Sequence, residues 1–243
     1  MPDTAASTAS FGVLVIEGGG GRVEMLTDYL RREDIPVSIT AGGREALSAV
    51  VAGSQPHMII LEAEHSLSDT LATCRRLRSA SDAHIAVLTT DADTATTIAV
   101  SDAGADEVFA DPTRSGDIAS RVRTVLARRS PVAIGGAAGD AGPGKRFGPL
   151  TIDVERRLVF VSGRQIDLTR MEFDILVALS QRASRVTTRQ ELLNAVWGRG
   201  WQGNPGVIDV HIGHLRRKLG DDPTRPELVV NVRGVGYHLP GNP

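Results

Sequence analysis

The sequence lacks the residues that would give it a covalent or metal-built scaffold. Among its 243 residues there is one cysteine, Cys74, so neither an intramolecular disulfide nor a cysteine-based metal cluster can form. An unpaired thiol suits a reducing compartment, where it packs as a small buried hydrophobe. No apolar run reaches the roughly 18 residues that a membrane helix needs. The opening MPDTAASTAS also lacks the basic-then-apolar order of a secretion signal. These absences lead to the expectation of a soluble, cytoplasmic chain without a membrane partner. Net charge is nearly absent too, with 27 Lys and Arg against 29 Asp and Glu.

That near-neutral total conceals a division. Residues 1–144 hold 12 basic and 19 acidic side chains, a balance of −7, whereas residues 145–243 hold 15 and 10, a balance of +5. Such asymmetry points to a nucleic-acid-binding half joined to one that does not touch nucleic acid. The sign changes across PVAIGGAAGDAGPG, whose Gly, Ala and Pro content reads as a flexible linker over 131–144. The expected domains are therefore 11–130 and 145–243.

In the first half, short apolar runs recur at VLVI (13–16), VSIT (37–40), MIIL (58–61), IAVL (85–88) and VFA (108–110). Runs of this kind suit parallel strands buried on both faces. Segments with helical spacing separate them, so the fold class is α/β: a doubly wound, flavodoxin-like five-stranded parallel sheet. Its functional crevice should open beyond the carboxyl ends of the strands, where Glu17, Glu62, Thr89 and Asp111 stand. The loop EGGGGR after the first strand suggests phosphate binding at a helix start. The dinucleotide pattern fails there, however, because Val23 or Glu24 takes the place of its last glycine, and no GK[ST] follows. A nucleotide enzyme using Gly18–Gly21 is thus the weaker reading, and a permissive glycine turn the stronger.

Taken in order, VLVIEGGG, REALSAV, QPHMIILEAEHSLS, CRRLRS, VLTT, AGADEVFADP and DIASRVRTVLARR resemble the receiver domain of bacterial response regulators. The resemblance implies two adjacent acids holding magnesium after the first strand and a phosphoacceptor aspartate ending the third. It also implies a Ser or Thr ending the fourth and a lysine ending the fifth. This chain has Glu17 and Gly18, then Glu62, Thr89 and Asp111, so only Thr89 is clearly kept. Losing one ligand to Gly18 and lengthening another to Glu62 should weaken a near-octahedral magnesium site. Asp111 places negative charge where the transferred phosphoryl group needs a cation. The aspartyl-phosphate switch is expected to be absent. Glu62 then either imitates the phosphorylated aspartate by hydrogen-bonding Thr89, or is an ordinary strand-end acid. Phosphorylation at another residue, or a small ligand in the acidic crevice, is the alternative control.

The same resemblance implies a homodimer paired through the fourth helix, fifth strand and fifth helix by crossed ion pairs. Asp106, Glu107, Asp117, Arg121 and Arg123 carry the suitable charges, while Thr97 and Val108 replace the expected basic and aromatic residues.

In the second half the period changes to short alternating strands, FGPLTID, RLVFVSG and RQIDL, with a turn at Ser162 and Gly163. Thr169 with Glu172, and Thr188 with Glu191, are two capping boxes, each opening an amphipathic helix. A third helix runs from about Val207 to Leu219. Ile208, Ile212, Leu215 and Leu219 form its apolar stripe, with His211, His214, Arg217 and Lys218 expected on the outer faces. That is the layout of a recognition helix for a major groove. LVVNVRGVGYHL reads as a terminal hairpin carrying Arg233, suited to an adjacent minor groove. His211 and His214 stand only three apart with no HExxH arrangement, so neither a metal nor any other cofactor is expected.

DLTRMEFDIL, VTTRQELLNAVWG, VIDVHIGHLRRKLGDD and VVNVRGVGYHL closely resemble the winged-helix effector domain of the OmpR/PhoB family. The resemblance implies contacts to double-stranded DNA: bases or grooves from His211, His214, Arg216 and Arg233, and backbone phosphates from Arg189, Trp197, Arg217, Lys218 and Tyr237. Arg216 can face either DNA or an intramolecular acid. Gly206 and Gly213 stand where arginines are frequent, which should reduce phosphate neutralisation without abolishing docking. Asp209 reads as an orienting residue, and Gly198–Gly206 as the loop facing RNA polymerase. The expectation is a DNA-binding transcriptional regulator with no catalytic function.

Overall fold

The computed structural model describes residues 12–21, 23–63, 66–110, 115–127, 144–199, 201 and 203–241. The expected linker lies outside the described residues except for Gly144, as do Asp111 and the side chain of Asp117. The chain divides into two compact units.

The first is built on five parallel strands, β1 (Val13–Ile16), β2 (Val37–Thr40), β3 (Met58–Glu62), β4 (His84–Leu88) and β5 (Glu107–Phe109). Their order is β2-β1-β3-β4-β5, with Val13 level with both Val37 and Met58. In chain order α1 (Val23–Arg32), α2 (Gly43–Val51), α3 (Leu67–Ala80), α4 (Thr94–Asp102) and α5 (Ser115–Ala127) alternate with them. β1, β3 and β4 are buried at every position, which is why they read as unbroken apolar runs. β2, at the sheet edge, is only partly covered. Val15, Leu26, Leu30, Ile60, Ile118 and Val122 join β1 and β3 to α1 and α5 in one core. Because β1 is flanked by β2 on one side and β3 on the other, the strand order reverses there, and the crevice opens past the carboxyl ends of β1 and β3.

The second unit begins with an antiparallel sheet, β6 (Lys145–Phe147), β7 (Leu150–Asp153), β8 (Leu158–Val161) and β9 (Arg164–Gln165), paired in chain order. Ser162 and Gly163, with φ of 51° and 82°, make the left-handed two-residue turn that the right-handed twist of a hairpin prefers. α6 (Arg170–Ser180) and α7 (Arg189–Val196) open on complete capping boxes at Thr169/Glu172 and Thr188/Glu191. α8 (Val207–Leu219) stops at Gly220, whose φ of 71° is a left-handed cap. β11 (Val230–Val232) and β12 (Gly236–His238) form the terminal hairpin. A short strand that the sequence did not reveal, β10 (Thr187–Thr188), completes a three-stranded sheet ordered β10-β12-β11. Gly236 is required there, since a Cβ would sit 2.1 Å from the Thr187 carbonyl oxygen. Leu150, Ile175, Leu176, Leu193, Ile208, Ile212 and Leu215 are the centre of this unit's core.

Candidate nucleic-acid interface and receiver crevice

At the end of β3, the buried Glu62 carboxylate turns toward the glycine loop that follows β1. Its Oε2 accepts from the Gly18 N–H at 2.9 Å and from the Gly20 N–H at 3.4 Å. Gly18 is a steric necessity, because a Cβ there would lie 2.5 Å from the Glu62 carbonyl oxygen and 2.8 Å from that of Ala63. Backbone donors that would favour an external anion therefore hold an internal carboxylate. Of the two roles left open for Glu62, the one that needs a bond to Thr89 is not taken up. The Thr89 hydroxyl instead donates to the Asp91 carbonyl at 3.2 Å and accepts from the Asp91 N–H at 3.1 Å, a local turn that outcompetes the longer reach. Among the described residues the fit to a magnesium ion is poor, since Gly18 offers no side chain and Oε2 of Glu62 is already held by loop amides. Glu17 lies half-buried at the same edge.

The charges assigned to a dimer face are mostly internal. Asp106 and Glu107 are buried, as is Arg121. Asp106 Oδ2 accepts from Arg78 Nη2 at 2.5 Å and from the Ile85 N–H at 2.8 Å. Glu107 Oε2 accepts from Arg121 Nε at 2.7 Å and lies 3.3 Å from His84 Nε2. Burial pushes the Glu107 carboxyl up, but the His84 hydrogen bond and the Arg121 guanidinium outweigh it and hold the group below its ordinary value. Removing either partner would leave an uncompensated buried charge, so these groups stay with each other. Arg123, exposed, pairs with Glu33 of the same chain at 2.6 Å. The crossed-pair expectation is corrected for Asp106, Glu107 and Arg121, whose side chains are enclosed.

In the second unit, Ile208, Ile212, Leu215 and Leu219 seat α8 on the core. His211 joins them: it is buried, with its ring centroid 5.7 Å from that of Trp197. Its expected outward position is corrected, and the spacing explains why. Residue 211 stands three after Ile208 and four before Leu215, on the apolar stripe. Trp197 is also buried, 5.5 Å from Trp201, and so does not present its ring as a surface group. His214 meets His211 edge-on at 6.3 Å.

Arg216 turns inward, but its hydrogen bonds go to a backbone carbonyl rather than to an acid, Asp221 Oδ2 lying 4.0 Å from its Nε. Its Nε and Nη2 donate to the Val229 carbonyl at 3.0 and 2.6 Å, tying α8 to the start of the wing. Lys218 Nζ donates to Glu172 at 2.8 Å. Tyr237 is buried, and its hydroxyl donates to Asp209 Oδ1 at 2.5 Å. Arg189 Nε donates to the same oxygen at 2.9 Å. Burial and the Asp209 bond push the Tyr237 phenol up to about 12, so it remains a donor at any physiological pH. Arg217 and Arg233 are exposed, and among the described residues no partner holds them.

The family model for "Transcriptional regulatory protein, C terminal" matches residues 163–239. The DNA-binding response regulator MtrA of Mycolicibacterium smegmatis is 33% identical over 225 residues, covering 93% of this chain and 95% of its own. The response regulator MprA of Mycobacterium sp. strain KMS is 35% identical over 232 residues, covering 95% and 98%. The chain belongs to the OmpR/PhoB family of DNA-binding response regulators. The solved structure of a RitR mutant has the same fold as this OmpR/PhoB regulator, with a TM-score of 0.68 at 25% identity over 95% of this chain and 99% of that one.

Two residues of this OmpR/PhoB regulator carry more than the sequence suggested. Asp221, buried just after the Gly220 cap, accepts from the N–H groups of Glu227, Leu228 and Val229 at 2.7, 3.1 and 2.8 Å, and so shapes the approach to the wing. Its partners lie six to eight residues on, beyond any helical or turn signal. Asp209 is the common acceptor of Arg189 and Tyr237. Its place in the first turn of α8 was visible, but those two partners come from α7 and β12. Among the described residues no helix is long and apolar enough to cross a membrane.

Proposed function

We propose that this chain regulates transcription in the cytoplasm by binding specific double-stranded DNA, and that its receiver works without aspartyl phosphorylation. In this reading the receiver occupies 11–130, a linker 131–144 and the DNA reader 145–243. α8 enters the major groove and Arg233 on the wing enters the adjacent minor groove, with Arg217 and His214 as outer contacts. Arg189, Lys218 and Tyr237 face backbone phosphates. His211, Trp197 and Arg216 act mainly by holding α8, α7 and the wing in register. Binding by a homodimer on two half-sites, and contact of the 198–206 loop with RNA polymerase, belong to the same reading, as does the absence of catalysis. The relatives' description as DNA-binding regulators and the exposed arginines of α8 and the wing support the DNA half.

A single observation carries the phosphorylation-independent half. The strand-end acid is a glutamate whose carboxylate already occupies the amides of the Gly18–Gly20 loop, with no second acid at position 18 to hold magnesium. Incubation with a small phosphodonor and magnesium, followed by intact mass, tests it. The expected outcome is an unchanged mass and unchanged DNA affinity, and an added phosphate on the receiver would overturn the reading.

A further inference from the structure

We propose that Asp209 is an internal counter-ion that keeps the Arg189–Tyr237 phosphate clamp discharged until a correctly seated duplex displaces it, which makes Asp209 a specificity-determining residue. The inference rests on the DNA-binding reading above. One carboxylate oxygen, Asp209 Oδ1, takes both Arg189 Nε at 2.9 Å and the Tyr237 hydroxyl at 2.5 Å. Arg189 Nη2 closes the triangle on the Tyr237 hydroxyl at 3.4 Å, and its guanidinium lies 5.1 Å from the centre of that ring. The second cation over the same ring, Arg216, is committed to the Val229 carbonyl, so Arg189 is the one able to turn outward. The pair is open to an incoming anion, with Arg189 30% and Asp209 47% exposed.

A phosphate oxygen that engages this clamp exchanges one anion for another, so an arbitrary phosphate gains little. The exchange is favoured where α8 and the wing already hold the duplex in place. Suppressing sequence-independent phosphate contact raises the ratio of specific to non-specific binding without adding a base contact. Asp209 also suits its place in the first turn of α8, where an acid complements the helix dipole.

The test titrates the full chain with a random-sequence duplex over a potassium chloride series, comparing wild type with Asp209→Asn, Asp209→Ser and the exposed-acid control Glu227→Gln. With Arg189 released to a phosphate, the two Asp209 variants should bind the random duplex several-fold more tightly. Their plot of log affinity against log salt should be steeper by about 0.9, one further phosphate contact. Glu227→Gln should leave the slope at the wild-type value. Equal slopes for wild type and the Asp209 variants, or the same steepening in Glu227→Gln, would overturn the counter-ion role while leaving the DNA-binding reading intact. Failure of wild type and variants alike to bind any duplex at low salt would overturn both. Two neutral replacements at 209 keep the readout available if one of them disturbs α8.

Discussion

Gly18 and Glu62 make sense only together. A glutamate reaches further than an aspartate from the end of β3, and the loop after β1 can approach that strand only because residue 18 has no side chain. The two departures from the receiver pattern are therefore one structural change: a carboxylate on a longer stem, bound by the amides it reaches. Gly18→Ala would drive a Cβ into the backbone of Glu62 and Ala63, an overpacking that should cost about 1–3 kcal/mol. Urea denaturation should show that loss as a lower midpoint. An unchanged midpoint would mean that the loop can move away freely. A comparable reversal holds for His211, whose imidazole suggests a base contact but whose position on α8 sends it into the core beside Trp197.

The elements of the DNA reader are defined locally to an unusual degree. Both capping boxes expected from Thr169/Glu172 and Thr188/Glu191 are complete, and each satisfies two amides that a helix start would otherwise expose. Thr188→Ala removes the side-chain acceptor and should destabilise the domain by about 0.5–2 kcal/mol in thermal unfolding. In the same box, the backbone hydrogen bond from Thr188 and the ion pair with Arg182 hold the Glu191 carboxyl at about 2. A carboxyl depressed on folding contributes stability that is present above its unfolded value, about 4.3, and is lost as pH falls toward the folded one. Glu191→Gln should therefore lower the melting temperature at neutral pH and approach wild type as acidity increases through that window. A difference between the two proteins that stays constant with pH would refute the assignment.

For the whole molecule, the charge division is the feature that bears on function. The acidic half carries −7 and the basic half +5, so the chain is near neutral overall while its carboxy-terminal domain remains a cation. Affinity for DNA should fall steeply with salt despite a net charge of −2. Arg233, exposed at the wing, is the side chain for which loss should be felt on a selected duplex. Arg233→Ala should weaken binding by about 1–3 kcal/mol in fluorescence anisotropy. Binding equal to wild type would remove the wing from the interface.

The five parallel strands, the helix caps and the Ser162–Gly163 turn were legible in the sequence, because each depends on residues within a few positions: apolar runs, Thr-x-x-Glu boxes, a Ser-Gly turn; β10, two residues long and paired only with β12, was not. Side-chain partnerships were not. That Asp106 pairs with Arg78 and Glu107 with Arg121, that Arg216 reaches the Val229 carbonyl, and that Glu62 reaches the Gly18 amide are choices among groups far apart in the chain. Only the tertiary structure decides them, because the cost of burying an unpaired charge depends on which groups the fold brings within about 3 Å.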